Sequence, residues 1–170
     1  MRSLFKTFKN FWISLEKRFK VIALTKTSYI SICSAPSNLF IEGYSLVSNS
    51  TETFAGGTAI YVCNSLSYRY RKDLSSQMYQ SKQLESTFIE ISQKGKKHMV
   101  VGSIYKHPGM PVNEFTDSYF APVSDNINKE RKRGVLLGDF NINLLNQRRR
   151  SVSWLIHRTI SSLRSPCQRE

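Results

Sequence analysis

The residues of this chain best equipped for chemistry fall in two short runs. Gly138-Asp139-Phe140-Asn141 sets a carboxylate and an amide two residues apart, directly after the aliphatic Val135-Leu136-Leu137. Such oxygen ligands hold a hydrated Mg²⁺, the amide can also donate to a phosphoryl oxygen, and a glycine lets backbone approach a ligand closely. The same residues also fit an Asx turn capping a strand, and the tetrapeptide alone does not separate the two readings. The second run, Tyr105-Lys106-His107-Pro108-Gly109, follows Val100-Val101-Gly102-Ser103-Ile104. It offers a phenol, a cation and an imidazole, groups that suit a phosphate. Tyr105 also fits a strand-end aromatic packed on a neighbour, and a solvent-exposed loop residue is the favoured reading of His107.

An α/β architecture would carry both runs. Val135-Leu136-Leu137 reads as a short buried strand that delivers Gly138 to Asn141 to its C-terminal end, where α/β sheets keep their chemistry. Before it, Asn113 to Arg131 reads as a helix with Asn113 as N-cap and Phe115, Tyr119, Phe120, Val123 and Ile127 apolar. Pro122 is expected to kink or break it, and Gly134 to close it. Further strands are expected at Val21 to Leu24, Tyr44 to Val47, Thr58 to Cys63, Tyr68 to Arg71, Thr87 to Ser92 and Met99 to Tyr105. The last two predict a hairpin across Gln93-Lys94-Gly95-Lys96-Lys97, with Phe88 and Glu90 on one face and Ile89 and Ile91 on the other. At the N-terminus, Leu4, Phe5, Phe8, Phe11, Trp12, Leu15 and Phe19 keep to one side of a helix, read as core-facing rather than membrane-bound. From Gln147 the texture changes to an Arg-rich tail, a short helix or a disordered end. The expected organisation is one domain over residues 1–146 and a basic tail over 147–170.

Composition narrows the functions. The chain has 170 residues, with 25 Lys and Arg against 12 Asp and Glu, a formal charge of +13 and a pI near 9.9. Charge clusters recur at Arg69 to Lys72, Lys94 to Lys97, Lys129 to Arg133 and Arg148 to Arg150. Spread patches of this kind suit phosphate backbones, which makes nucleic acid the expected partner against the alternative of a merely solvated basic surface. Cys33, Cys63 and Cys167 lie far apart with no CxxC pair, which argues against a disulfide framework or a zinc module and fits a reducing compartment. No apolar run reaches the ~18 residues of a membrane span, and Lys6, Lys9 and Lys17 interrupt the N-terminus where a signal peptide would be apolar. An intracellular protein with no membrane partner is expected.

Taken together, these segments resemble a known family. The chain is similar to the endonuclease/exonuclease/phosphatase superfamily, specifically the apurinic-type endonuclease domain of non-LTR (LINE-type) retrotransposons. The resemblance runs roughly from Arg2 to Asn146 through Arg2-Ser3-Leu4, Val21 to Thr27, Gly43-Tyr44, Gly56 to Val62, Tyr105 to Pro108 and Leu137 to Asn141. It implies a deoxyribonuclease-like partial four-layer sandwich, two mixed β-sheets flanked by helices. It also implies metal-dependent hydrolysis of a DNA phosphodiester, with Mg²⁺ as cofactor and no small-molecule cofactor. By resemblance, Asp139 is a metal-site residue that orients or deprotonates the attacking water, Asn141 holds a phosphate oxygen and Tyr105 contacts the phosphate. Such roles are chemically sound because charge develops on the phosphoryl oxygens. Lys106, His107, Arg69 and Arg71 are the candidate nucleic-acid contacts, and nuclear action is implied if the activity operates.

The departures from that pattern bear on activity. Relatives carry Thr-Glu-Thr-Trp where this chain has Thr25-Lys26-Thr27-Ser28, so Lys26 stands at the position of the principal metal ligand. An ammonium cannot ligate Mg²⁺ and repels it. The family's N-terminal asparagine strand and its C-terminal Asp-His pair also have no counterpart here. The resemblance thus implies a truncated, degenerate copy with little or no activity, prone to self-association through exposed sheet edges. The alternative is a non-catalytic basic module that binds nucleic acid through charge and aromatics such as Tyr68 and Tyr70.

Overall fold

The computed structural model describes residues 19–27, 40–49, 56–76, 83–92 and 94–142. All of the expected N-terminal helix except Phe19, together with Ser28 and the tail from Gln147, lies outside them.

Runs rich in β-branched and aromatic residues become strands, as such side chains fit a pleated, half-buried surface. Val21–Thr25 (β1), Tyr44–Asn49 (β2) and Thr58–Cys63 (β3) form an antiparallel sheet in the order β1-β3-β2. Its register sets Val21 against Val62 and Tyr44 against Cys63. Tyr68–Tyr70 (β4), Leu84–Ile91 (β5), Met99–Lys106 (β6) and Arg133–Asp139 (β7) form a second sheet in the order β4-β5-β6-β7, with a short helix, Lys72–Ser76 (α1), between β4 and β5. Its first two pairings are antiparallel and β6-β7 is parallel. The chain therefore has the expected α/β fold built on two sheets, and β5-β6 is the expected hairpin.

Alternation along β5 and β6 assigns the two cores. Ile89, Ile91 and Val101 face the first sheet and meet Ile60 and Val62 in an apolar layer between the sheets. Leu84, Phe88, Val100 and Ile104 face the other way, onto the helical crossover that the parallel β6-β7 pair requires. That crossover runs through Val112–Glu114 (α2), a π-helical stretch Phe115–Phe120 and Ala121–Lys129 (α3). It buries Phe115, Tyr119, Phe120, Val123 and Ile127, the stripe expected from sequence. Among the described residues no helix is long and apolar enough to cross a membrane.

Several local expectations are settled by the structure. The crossover starts one residue early, at Val112, with Pro111 at the cap position and no side-chain cap, so Asn113 is not the N-cap. Pro122 marks a break, one of the two expected outcomes: it stands at the start of α3, where the helix changes from π to α. The π stretch just before it moves the hydrogen bonding to five residues, Ala121 N–H donating to the Thr116 carbonyl, and makes room for a ring that would strike the carbonyl four residues back. The helix is closed by Arg131 in the left-handed region (φ 54°), not by Gly134, which lies inside β7. β7 is longer than expected and, among the described residues, is the outermost strand of its sheet, so Leu137 is 45 % exposed rather than buried.

Candidate functional site

Glu85, Tyr105 and Asp139 occupy one row across β5, β6 and β7, for Glu85 pairs with Tyr105 and Tyr105 with Asp139 in register. Alternation turns all three toward the first sheet. The neighbouring Phe140 goes the other way and packs on Phe115 at 5.8 Å, which anchors the end of β7 to the helix. Asp139 holds its position because Gly138 does what no other residue could: its φ is 145°, and any Cβ would fall on the Ile104 carbonyl of β6.

The first sheet contributes Lys26, directly after β1. With φ at 55°, its backbone turns the side chain onto the row. Lys26 Nζ lies 2.7 Å from Asp139 Oδ2 and 5.2 Å from the centre of the Tyr105 ring. The hydrogen bond to Asp139 raises the lysine's pKa, and the same bond holds the Asp139 carboxyl below its ordinary value, helped by the Asn141 N–H. A raised lysine keeps its contribution below the unfolded value of 10.5, and a depressed aspartate keeps its own above 3.8. The pair is therefore intact across neutral pH and loosens only as pH falls below the acid value or rises past the basic one.

Asn141 stands beside Asp139 but faces inward. Its Nδ2 donates to the Lys106 carbonyl at 2.6 Å, and its N–H donates to Asp139 Oδ1 at 3.2 Å. This is the Asx-turn arrangement, in which the amide ties the end of β7 to the end of β6. Both Asp139 oxygens therefore have partners within the protein.

His107 is not the exposed loop residue expected. Its ring packs on Tyr105 at 4.5 Å, and its Nε2 is buried with no hydrogen bond, 3.6 Å from Glu85 Oε1. Glu85 escaped the sequence reading altogether. It is 3 % exposed and accepts the Gly57 N–H, and its carboxylate fills the space where a Cβ on Gly56 would lie. The available signal was a carboxylate in phase with Thr87 and Ile89 on the sheet-facing side of β5, opposite a glycine pair.

The expected phosphate contacts are otherwise engaged. Lys106 is 1 % exposed, donates to the His107 carbonyl at 3.2 Å, and has its pKa lowered by burial. Arg71, also buried, reaches Asp73 and Glu130 at 2.7 Å each and Glu90 at 3.0 Å. Neither side chain presents its charge to a phosphate. Arg69 bonds Glu90 at 2.7 Å with most of its side chain in solvent, Tyr70 is exposed, and Tyr68 packs on the core between the sheets.

No family model matches the chain, and no curated protein does. The fit of a divalent metal thus rests on the site's own donors. Mg²⁺ takes oxygen ligands at ~2.0–2.1 Å, and here the available carboxylate is neutralised by an ammonium. Among the described residues no group of three or more His, Cys, Asp or Glu could hold a metal. The described residues of this site do not fit Mg²⁺.

Proposed function

We propose that the domain is a non-cleaving nucleic-acid-binding module on a phosphodiesterase-like frame, the resemblance to retrotransposon endonucleases reflecting its ancestry. The observation that carries this reading is the Lys26–Asp139 ion pair. An internal cation stands where a hydrolase of that family needs a dication, so the site keeps its shape without a means of activating water or stabilising developing charge. The +13 charge supplies the attraction to a polyanion, and the nucleus is the compartment where such a module would meet DNA.

Supercoiled plasmid incubated with the full chain should remain un-nicked with and without Mg²⁺. A labelled duplex should bind with little sequence preference and an affinity that falls steeply with salt, as expected for ~6–10 phosphate contacts. Mg²⁺-dependent nicking that Asp139→Ala abolishes would overturn the proposal, as would binding indifferent to salt.

Lys26→Glu sharpens the point. Two carboxylates would then share the space of one ion pair, and the Asp139 carboxyl should rise from its depressed value because its cation is replaced by a like charge. An NMR titration of the Asp139 carboxyl reads that rise directly. Nicking should still be absent, since the Asn141 amide remains committed to the Lys106 carbonyl and His107 remains beside Glu85. Nicking by this single variant would show that Lys26 alone silences an otherwise competent site.

A further inference from the structure

Resting on the nucleic-acid-binding reading above, we infer that the phosphate backbone docks at the end of the sandwich opposite the Lys26–Asp139 site, on a cationic ridge. Its residues are Lys94, Lys96 and Lys97, in the β5–β6 turn, and Lys129, Arg131 and Arg133, where the crossover enters β7. All six are exposed.

The register makes one surface of these two segments. Met99 pairs with Arg133, and the Arg133 N–H donates to the His98 carbonyl at 3.1 Å, so the turn and the corner leave the sheet side by side. From Met99 to Tyr105 along β6 and from Arg133 to Asp139 along β7, the strands run the length of the sheet to the other site. At ~3.3 Å per residue the two ends are roughly 20 Å apart.

Charge is unbalanced on the outside of this end. Beneath the ridge, Asp73, Glu90 and Glu130 are matched by Arg69, Arg71 and Lys132 in one ion-pair network. Three carboxylates meet three permanent cations there, which leaves none of those carboxylates for the outer six. None of those six has an ion-pair partner among the described residues. The site end is the reverse case, with Lys26 tied to Asp139 and Lys106 buried.

A polymer of phosphates fits this ridge better than a membrane does. Surface binding to lipid gains from apolar side chains inserted beside the cations. Among the described residues, the exposed large apolar side chains Phe19, Phe40, Tyr70 and Leu137 all lie on other segments.

The test uses the full chain and a labelled mixed-sequence duplex, with anisotropy followed from about 50 to 200 mM salt. Wild type is compared with Lys94→Glu/Lys96→Glu/Lys97→Glu and with Arg148→Glu/Arg149→Glu/Arg150→Glu, which changes net charge equally. The turn variant should lose roughly tenfold or more in affinity, and its log–log salt slope should become shallower by about 2–3, as three phosphate contacts are lost. The tail variant should lose less than the turn variant in both affinity and slope. Should charge reversal disturb folding by circular dichroism, the three lysines changed to glutamine must give the same order of affinities. Equal weakening of both variants, or loss confined to the tail variant, would overturn the ridge while leaving nucleic-acid binding in place. Tighter association with phosphatidylserine vesicles than with the duplex would overturn the choice of partner. No binding by wild type would overturn the parent reading itself.

Discussion

Replacing Glu90 with alanine should cost the domain about 3–5 kcal/mol, the usual penalty for removing one partner of a buried ion pair. Glu90 and Arg71 are 3 % and 5 % exposed in their side chains and lie 3.0 Å apart. Lys132 reaches the same carboxylate oxygen at 2.8 Å and Arg69 at 2.7 Å, while His98 Nδ1 lies 2.9 Å from the other oxygen. Without Glu90, the Arg71 guanidinium stays buried with only Asp73 and Glu130 to answer it, and Lys132 loses its inner anchor. Burial by itself would raise the Glu90 carboxyl; the bonds from Lys132, His98, Arg69 and Arg71 override it and hold the group well below the ordinary 4.5. The linked stability is complete above that value and drains as pH falls through and below it. Urea melts at neutral pH should show the loss as a lower midpoint with unchanged slope. Glu90→Gln, which keeps the shape, should also flatten the acid limb of the stability profile. A paired replacement, Arg71→Met with Glu90→Leu, should recover much of the loss because no buried charge is left unpaired: Asp73 and Arg69 are open to solvent, and Lys132 keeps Glu130. A Glu90→Ala midpoint within experimental error of wild type would mean that solvent reaches this network freely.

The same network shows where a linear reading of the sequence runs out. Arg69, Tyr70, Arg71 and Lys72 are adjacent in sequence and read as a cationic patch. Their meaning depends on Glu90 across the β4–β5 pairing and on Glu130 at the end of the crossover, 19 and 59 residues from Arg71. His107 failed for a related reason, since its neighbour Glu85 is brought close by the β5–β6 register rather than by sequence spacing. What was legible depended on local periodicity. Thr58–Cys63 coincides with the expected strand to the residue, the buried stripe of the crossover is the one its spacing predicts, and the division of Phe88 and Glu90 from Ile89 and Ile91 holds. The candidate site divides along the same line. Asp139, Tyr105 and Lys26 converge as the ordered segments suggested, whereas Asn141 lies nearby with its amide directed to the backbone. β7 misled because three aliphatics in a row suggest burial on both faces, yet among the described residues the strand lies at the sheet edge.

Gly138→Ala should be the most damaging small substitution near the site, with a loss of about 3 kcal/mol and a displaced Asp139. Two independent costs fall on one methyl group. At φ 145° an L side chain is strained whatever space is available. Here there is also no space, because the added Cβ would overlap the carbonyl oxygen of Ile104, the residue paired with Gly138 in register. A flexible side chain could swing aside; a ladder carbonyl moves only if β6 and β7 separate. Separation at that point frees the end of β7, so Asp139 leaves Lys26, and Asn141 releases the Lys106 carbonyl. Gly134→Ala supplies the control within the same strand. Its Cβ would meet Ile127 Cγ2 at 3.4 Å, an ordinary contact at a backbone angle any residue adopts, and its effect should lie within about 0.5 kcal/mol of zero. Thermal melts of the two variants should therefore diverge. In the Gly138→Ala variant alone, the Asp139 carboxyl should rise toward 3.8 as it loses Lys26. Equal melts for the two alanines, with Asp139 still depressed, would show that β7 accommodates a side chain at Gly138 and that the glycine does not hold the ion pair in place.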